Sequence, residues 1–261
     1  LNHKARKRFG QNFLTDTTII ERIVNSINPQ ASDKLVEIGP GLGALTCPIL
    51  VRCGHLEVIE IDRDIPPLLK KNCGQKGDLI IHNMDVLQFD FAKAAAGQKL
   101  RIIGNLPYNI STPIIFHLVN YIDAIRDMHF MLQKEVVTRL AAAPGSKAYG
   151  RLSIMAQYHF RVTPLFLVPA TAFNPQPKVE SAIVRLVPHE TLPAQANNPQ
   201  AFAQLISAAF SQRRKTLKNV LKTICPEEAI RQAGLDPGLR PEQISLNEYV
   251  NLCNIIHPDN V

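Results

Sequence analysis

Apolar positions along this chain follow two alternating rhythms. Short apolar runs of strand length occur at Leu35-Val36-Glu37-Ile38, His55 to Ile61, Leu79-Ile80-Ile81, Arg101 to Gly104, Met128 to Leu132 and Ala182 to Val187. Between them the apolar residues take helical spacing. Ile19, Ile20, Ile23, Val24 and Ile27 predict a helix that Asp16 would cap, a second helical run ends near Cys53, and a third starts near Lys134. Strands alternating with helices predict βαβ units and a mostly parallel, doubly wound sheet. After Pro188 the strand pattern stops. Leu192 to Pro199 is rich in Pro, Ala and Asn and reads as a linker, and the rest of the chain is helical in pattern, with Leu246 to Leu252 the clearest amphipathic stretch. The expected division is an α/β domain over 1–189, with a basic N-terminal arm, and a small all-helical domain over 190–261.

Open α/β sheets bind ligands at the carboxyl ends of their strands. Four features fall there: Gly39-Pro40-Gly41-Leu42-Gly43 after the first run, Glu60 after the second, Asp85 after the third and Asn105 after the fourth. Glycines let a strand-to-helix turn approach a ligand, and the helix start offers N–H donors. The loop also satisfies G-x-G-x-x-A through Ala44, with Glu60 about 20 residues on, so an NAD-type dehydrogenase stays open at this point. A carboxylate at Glu60 suits the two hydroxyls of any ribose. Asp85, able to accept from an adenine amine, fits S-adenosylmethionine at least as well. Alone, either carboxylate reads as a cap or a surface residue.

Asn105-Leu106-Pro107-Tyr108 has no task in hydride transfer. Pro107 fixes its own φ and biases Leu106 away from helix, so the turn is stiff. Such a turn can aim the Asn105 oxygen and neighbouring carbonyls at an –NH2 group, while Tyr108 supplies a ring to lie against a base. Phe173, beside the Asn174-Pro175-Gln176-Pro177 loop, is a second stacking candidate, although a core aromatic would have the same spacing.

Composition sharpens this picture. With 261 residues and 46% hydrophobic content, the chain can bury a real core. The net charge of +7 suits a polyanionic partner. Local clusters are sharper: Lys4, Arg6, Lys7 and Arg8 interleaved with aromatics, and Arg213, Arg214 and Lys215 with Lys218 and Lys222. The bland alternative for each is a solvated, charged surface. Nothing approaches a membrane span or a signal-peptide core. Five cysteines without C-x-x-C spacing predict free thiols in a reducing, cytoplasmic setting, and no metal-ligand cluster stands out.

The chain closely resembles the small-subunit (16S) ribosomal RNA adenine N6,N6-dimethyltransferases, the kasugamycin-sensitivity family, and a bacterial member in particular. The resemblance runs through Gln11-Asn12-Phe13-Leu14, Glu37 to Gly43, Glu60 to Asp64, Asn105 to Tyr108, Met131 to Val136, Pro144 to Lys147, Tyr149 to Ser153, Phe173 to Val179 and Phe210 to Lys215. It implies a seven-stranded Rossmann-like methyltransferase sheet with a helical C-terminal domain for RNA recognition. It also implies methyl-donor contacts at Asn12, Leu14, Gly39, Glu60, Asp85 and Asn105. The implied substrate is a pair of adjacent adenosines near the 3′ end of 16S rRNA, in the assembling small subunit, and a monomer is expected. Asn83-Met84 stands where the family often has a glycine before Asp85, a departure expected to loosen the adenine pocket. Pro66-Pro67 is a second departure. A large-subunit RNA adenine methyltransferase of the resistance type shares the glycine loop and a similar Asn-Pro-aromatic motif, and is the runner-up. A catalytically idle RNA-binding factor is a third reading, against which Glu60, Asp85 and Asn105 stand intact.

The chemistry expected from the residues needs no metal and no general base. Asn105 and the Leu106 or Pro107 carbonyl would accept the two N–H bonds of an adenine amine, with Tyr108 and Phe173 stacking on the flipped base. Arg6, Lys7, Arg8, Arg213, Arg214, Lys215 and Lys218 would meet RNA phosphates.

Overall fold

The structure is a computed structural model that describes residues 12–107, 110–212 and 214–258. In chain order its principal elements are β1 (Phe13–Leu14), α1 (Thr17–Ile27), β2 (Lys34–Ile38), α2 (Thr46–Cys53), β3 (His55–Ile59), α3 (Ile65–Cys73), β4 (Asp78–His82), α4 (Phe91–Ala95), β5 (Leu100–Asn105), α5 (Ser111–Val119), β6 (Ile125–Gln133), α6 (Lys134–Leu140), α7 (Arg151–His159), β7 (Phe160–Val168), β8 (Phe173–Asn174) and β9 (Ser181–Pro188). Four helices complete the chain: α8 (Pro199–Ala209), α9 (Leu217–Leu221), α10 (Glu227–Gln232) and α11 (Leu246–Ile256). The chain divides into two compact units, Leu1–Val137 with Thr163–Pro188, and Thr138–Val162 with His189–Val261.

The first unit is built on a seven-stranded sheet in the order β4-β3-β2-β5-β6-β9-β7. β4, β3, β2, β5 and β6 run parallel, and β9 pairs antiparallel with β6. The register matters most. Ile38 pairs with Ile59 on one side and Gly104 on the other, and Ile59 pairs with His82. Gly39, Glu60 and Asn83 therefore leave the sheet at one level, beside Asn105. The expected α1 cap is present, with Ile19 N–H donating to Asp16 Oδ1 at 3.1 Å.

β7 is absent from the six-strand sequence reading. It is an edge strand carrying Pro164, with alternating burial too irregular to show a period of two. Proline is tolerated there because an edge strand has N–H positions that face no neighbour.

At the amino end of the parallel strands, Arg101 forms a buried ionic centre. Its Nε donates to Asp127 Oδ1 at 2.9 Å, Nη1 to Asp33 Oδ2 at 2.7 Å and Nη2 to the Ile27 carbonyl at 2.7 Å. Burial alone would raise the Asp127 carboxyl, but its bonds to Arg101 outweigh that and hold it below the usual range. One guanidinium thus ties β5, β6, the end of α1 and the entry to β2.

The second unit is helical, with a core that includes Tyr149, Ile154, Tyr158, Phe202, Leu205, Leu252 and Tyr249. The expected boundary at 189/190 marks where the chain re-enters this unit, but residues 138–162 also belong to it. Tyr158 on α7 explains why: its ring packs at a tilt against Phe202 of α8, 4.8 Å between centroids. The expected linker is part of the same core. Ala196 is buried, Asn197 N–H donates to Asn254 Oδ1 at 2.8 Å, and Asn254 Nδ2 donates to the Gln195 carbonyl at 2.9 Å. α11 starts on a capping box in which Ser245 and Glu248 bond reciprocally.

Candidate active site

A cavity of about 580 Å³ opens at the carboxyl ends of β2, β3, β4 and β5. Asn12, Leu14, Gly39, Glu60, Asp85, Asn105, Leu106, Pro107 and Phe173 all line it. Those expected site residues come from segments far apart in the chain, and the fold brings them around one space. Tyr108, Arg6, Lys7, Arg8 and Arg213 lie outside the described residues. Arg214, Lys215 and Lys218 do not line the cavity; they are exposed on the helical unit, with Lys218 Nζ 3.8 Å from Glu227.

The glycine turn is shaped by what presses on it. Gly41 has a φ of 53°, and a Cβ there would lie 3.3 Å from the Phe13 ring, so both conformation and space favour glycine. Phe13 is held over the turn by β1, which pairs with β8 in the register Phe13↔Asn174 and Leu14↔Phe173. Thr15 N–H anchors the same stretch by donating to the Ala172 carbonyl at 2.9 Å. This small sheet is what brings Asn12 and Phe173 to the cavity. Phe173 is only 4% exposed and belongs to the core of its unit, so it meets the cavity as part of a wall.

Two carboxylates sit deep in the site. Glu60 Oε1 accepts from Asp62 N–H at 2.8 Å, yet burial raises its pKa above the ordinary carboxylate value. Glu37, fully buried on β2, accepts from Thr46 Oγ1 at 2.6 Å, and burial pushes its carboxyl up to about 7. Asp85 caps the short turn after β4 by accepting from Leu87 N–H at 3.0 Å, so its capping and cavity-lining roles coexist. Asn83 does not loosen this edge. Its Nδ2 donates to the Glu60 carbonyl at 2.7 Å, tying the end of β4 to the end of β3. Ile61 and Leu87, 51% and 43% exposed, add apolar faces to the same lining.

Asn105 is oriented by its amide nitrogen, which donates to the Asn12 carbonyl at 3.3 Å. The amide oxygen is the other end of that fixed group. Leu106 N–H donates to the Met131 carbonyl at 3.2 Å, anchoring the turn to β6. The Pro107 carbonyl already accepts from both Ile110 and Ser111 N–H, each at 3.1 Å, as α5 begins.

The whole-chain comparison decides what this geometry belongs to. The family model for ribosomal RNA adenine dimethylase matches residues 2–257. The chain belongs to that family. It is 57% identical to the ribosomal RNA small subunit methyltransferase A of Chromohalobacter salexigens over 257 residues, covering 97% of this chain and 91% of that one. Among solved structures it resembles a dimethyladenosine transferase from Plasmodium falciparum, with a TM-score of 0.78, 26% identity and coverage of 92% and 95%. It also shares the fold of the 23S rRNA methyltransferase ErmE, with a TM-score of 0.73, 22% identity and coverage of 94% and 99%. The activity is S-adenosylmethionine-dependent dimethylation of ribosomal RNA adenine, and the dehydrogenase reading of the glycine loop falls away.

Within this dimethylase, sequence reasoning singled out neither the apolar lining residues Ile61 and Leu87 nor the buried carboxylate of Glu37. Its signal was its place, two residues before the glycine turn, but strand position alone does not reveal total burial. Among the described residues no group of three or more His, Cys, Asp or Glu is placed to hold a metal ion, and no helix is long and apolar enough to cross a membrane. The thiol expectation needs correction. Cys53, Cys225 and Cys253 are free, but Cys47 and Cys73 form a disulfide. The packing of α2 against α3 brings their Cα atoms to 5.0 Å, within bonding range, and a separation of 26 residues left no local cue.

Proposed function

We propose that this chain methylates the N6 amines of two adjacent adenosines near the 3′ end of 16S rRNA, acting as a cytoplasmic monomer on the assembling small subunit. The observation that carries the reading is Asn105, whose amide is fixed through Asn12 in the same cavity as Glu60, Asp85 and the glycine turn. The residues present fit S-adenosylmethionine. Glu60 is a buried carboxylate for both ribose hydroxyls, Asp85 an acceptor for the adenine amine, and Ile61 and Leu87 offer apolar faces to a planar ring. Gly39, Asn12 and Leu14 complete the enclosure. When bound, the donor supplies an electrophilic methyl on a sulfonium that leaves as a neutral thioether.

An adenine amine is a poor nucleophile because its lone pair is delocalised into the ring. The Asn105 oxygen accepts one of its N–H bonds. The second acceptor is the Leu106 carbonyl, because the Pro107 carbonyl is already engaged by the start of α5. Both bonds favour a pyramidal nitrogen with its lone pair aimed at the methyl, a stabilisation realised mainly in the transition state. No general base is required, since the proton can leave to water after transfer. Tyr108 and Phe173 hold the flipped base by stacking. Arg6, Lys7, Arg8, Arg213, Arg214, Lys215 and Lys218 neutralise phosphates.

The test is to incubate the protein with isotope-labelled S-adenosylmethionine and unmethylated small subunits, then map the label. Two neighbouring dimethyladenosines near the 3′ end are expected. Label on scattered adenosines, or an unlabelled small subunit where large-subunit RNA in a parallel reaction accepts the methyl groups, would refute the substrate assignment.

A further inference from the structure

The Cys47–Cys73 disulfide lies against the glycine turn of the cofactor cavity, and several contacts join them. Cys73, completely buried at the end of α3, fills the space where a side chain at Gly43 would project: a Cβ there would come within 2.5 Å of the Cys73 Sγ and 3.3 Å of the Cys47 Sγ. The Cys73 Sγ is also 3.9 Å from the Gly43 carbonyl oxygen. The preceding residue adds a tether, with Asn72 Nδ2 donating to the Leu42 carbonyl at 3.0 Å. From the other side, Cys47 N–H donates to the Gly43 carbonyl at 3.0 Å as α2 begins. Leu42 and Gly43 both line the cavity. Between the two cysteines runs β3, which delivers Glu60 to the same cavity.

We propose that Cys47–Cys73 is a thiol–disulfide exchange site that sets how tightly the cofactor turn is held, resting on the S-adenosylmethionine reading of that cavity. Closed, the bond clamps α2 to α3 across the turn. Open, the two sulfurs return to van der Waals separation, and because Cys73 is completely buried against Gly43, the half-buried Cys47 is the one that turns away. The released Cys73 thiol gains a hydrogen that it can donate to the Gly43 carbonyl, competing with the Cys47 N–H that orders the start of α2. The turn loosens, and the donor binds to a less preorganised site.

The exchange balances with an ordinary dithiol. A thiolate of the dithiol attacks the Sγ of Cys47, the less buried of the two cysteines, the S–S bond breaks, and Cys73 departs as a thiolate that takes up a proton. The second thiol then attacks the mixed disulfide, so Cys47 leaves reduced and the dithiol becomes a cyclic disulfide. The protein gains two electrons and two protons; the dithiol loses the same. A reducing compartment opens such a bond and oxidation closes it.

The test measures S-adenosylmethionine affinity by calorimetry on the full chain, once after treatment with glutathione disulfide and once after dithiothreitol. The redox state is verified by alkylation and peptide mass mapping. The oxidised protein should bind roughly 2- to 10-fold more tightly, the range expected for restraining one side chain. Cys47→Ser, which keeps the buried Cys73 in place, should bind like the reduced protein under both conditions. Equal affinities in two verified redox states would overturn the proposal. So would full alkylation of Cys47 and Cys73 after oxidation, or a Cys47→Ser variant that still responds to dithiothreitol. Absence of binding in both states would instead count against the cofactor assignment itself.

Discussion

At the scale of single residues, the site rests on groups fixed before any substrate arrives. Asn105→Ala should cut single-turnover methylation by about 10²–10³, the usual loss on removing one preorganised electrostatic group. RNA affinity should stay within a few-fold, and monomethyladenosine should accumulate, because the second transfer has only one N–H left to orient. Nuclease digestion with mass spectrometry reads both, and a variant that lost only RNA affinity would make Asn105 a clamp instead. Glu37 gives a pH signature. Its carboxyl titrates at about 7 in the fold against 4.5 when unperturbed, so the unfolded chain ionises first as pH rises. The stability this group gives is full below 4.5 and is lost as pH climbs through about 7. Glu37→Gln, which keeps an acceptor for Thr46, should therefore narrow the fall in urea midpoint between about pH 5 and pH 8. Parallel curves for both proteins would exclude the effect. The position of Asn105, Glu60 and Asp85 around one cavity was legible because strand ends and polar residues coincide in the sequence. Glu37 was hidden because a carboxylate inside an apolar run looks the same whether it faces water or a closed core.

At the scale of elements, β5 carries the ionic centre at one end and leads at the other into the turn proposed to bind the amine. Arg101→Met would leave Asp33 and Asp127 buried without their shared cation, at a cost of about 3–5 kcal/mol in unfolding free energy, measurable by urea titration. The folded fraction should keep its cofactor affinity, since Arg101 does not line the cavity. A midpoint within error of the parent would show that Arg126, 2.9 Å from Asp33, and Arg185, 3.2 Å from Asp127, already supply the compensating charge. The central strands β2, β5 and β6 were readable because nearly every position in them is buried, so apolar residues run almost continuously. β7 was not, because an edge strand with a proline and mixed burial has neither a continuous run nor a clean alternation. The Leu192–Pro199 stretch misled for a related reason. Its composition is that of a loose connection, but the bonds among Gln195, Asn197 and Asn254 come from residues far away in sequence.

At the scale of the whole molecule, charge is the property that a single number captures best. With a net charge of +7, RNA affinity should fall steeply with salt. Replacing Arg214 and Lys215 together with Ala should lower the logarithmic salt slope by about 1.5 if both meet phosphates. Turnover at saturating RNA should hardly change. A filter-binding series from low to high salt measures this, and an unchanged slope would return both residues to an ordinary solvated surface. The existence of two units was legible in the change of pattern after Pro188, but their true membership was not, because a linear reading cannot see the chain leave one unit and return. That detour imposes an order in time. On the ribosome α7 emerges well before α8 and α11, so Ile154 and Tyr158 are synthesised before Phe202, Leu252 and Tyr249 exist to cover them. The helical unit cannot close until its last helix is made, and a nascent chain that pauses between them carries an apolar surface that only its own unborn C-terminus can hide.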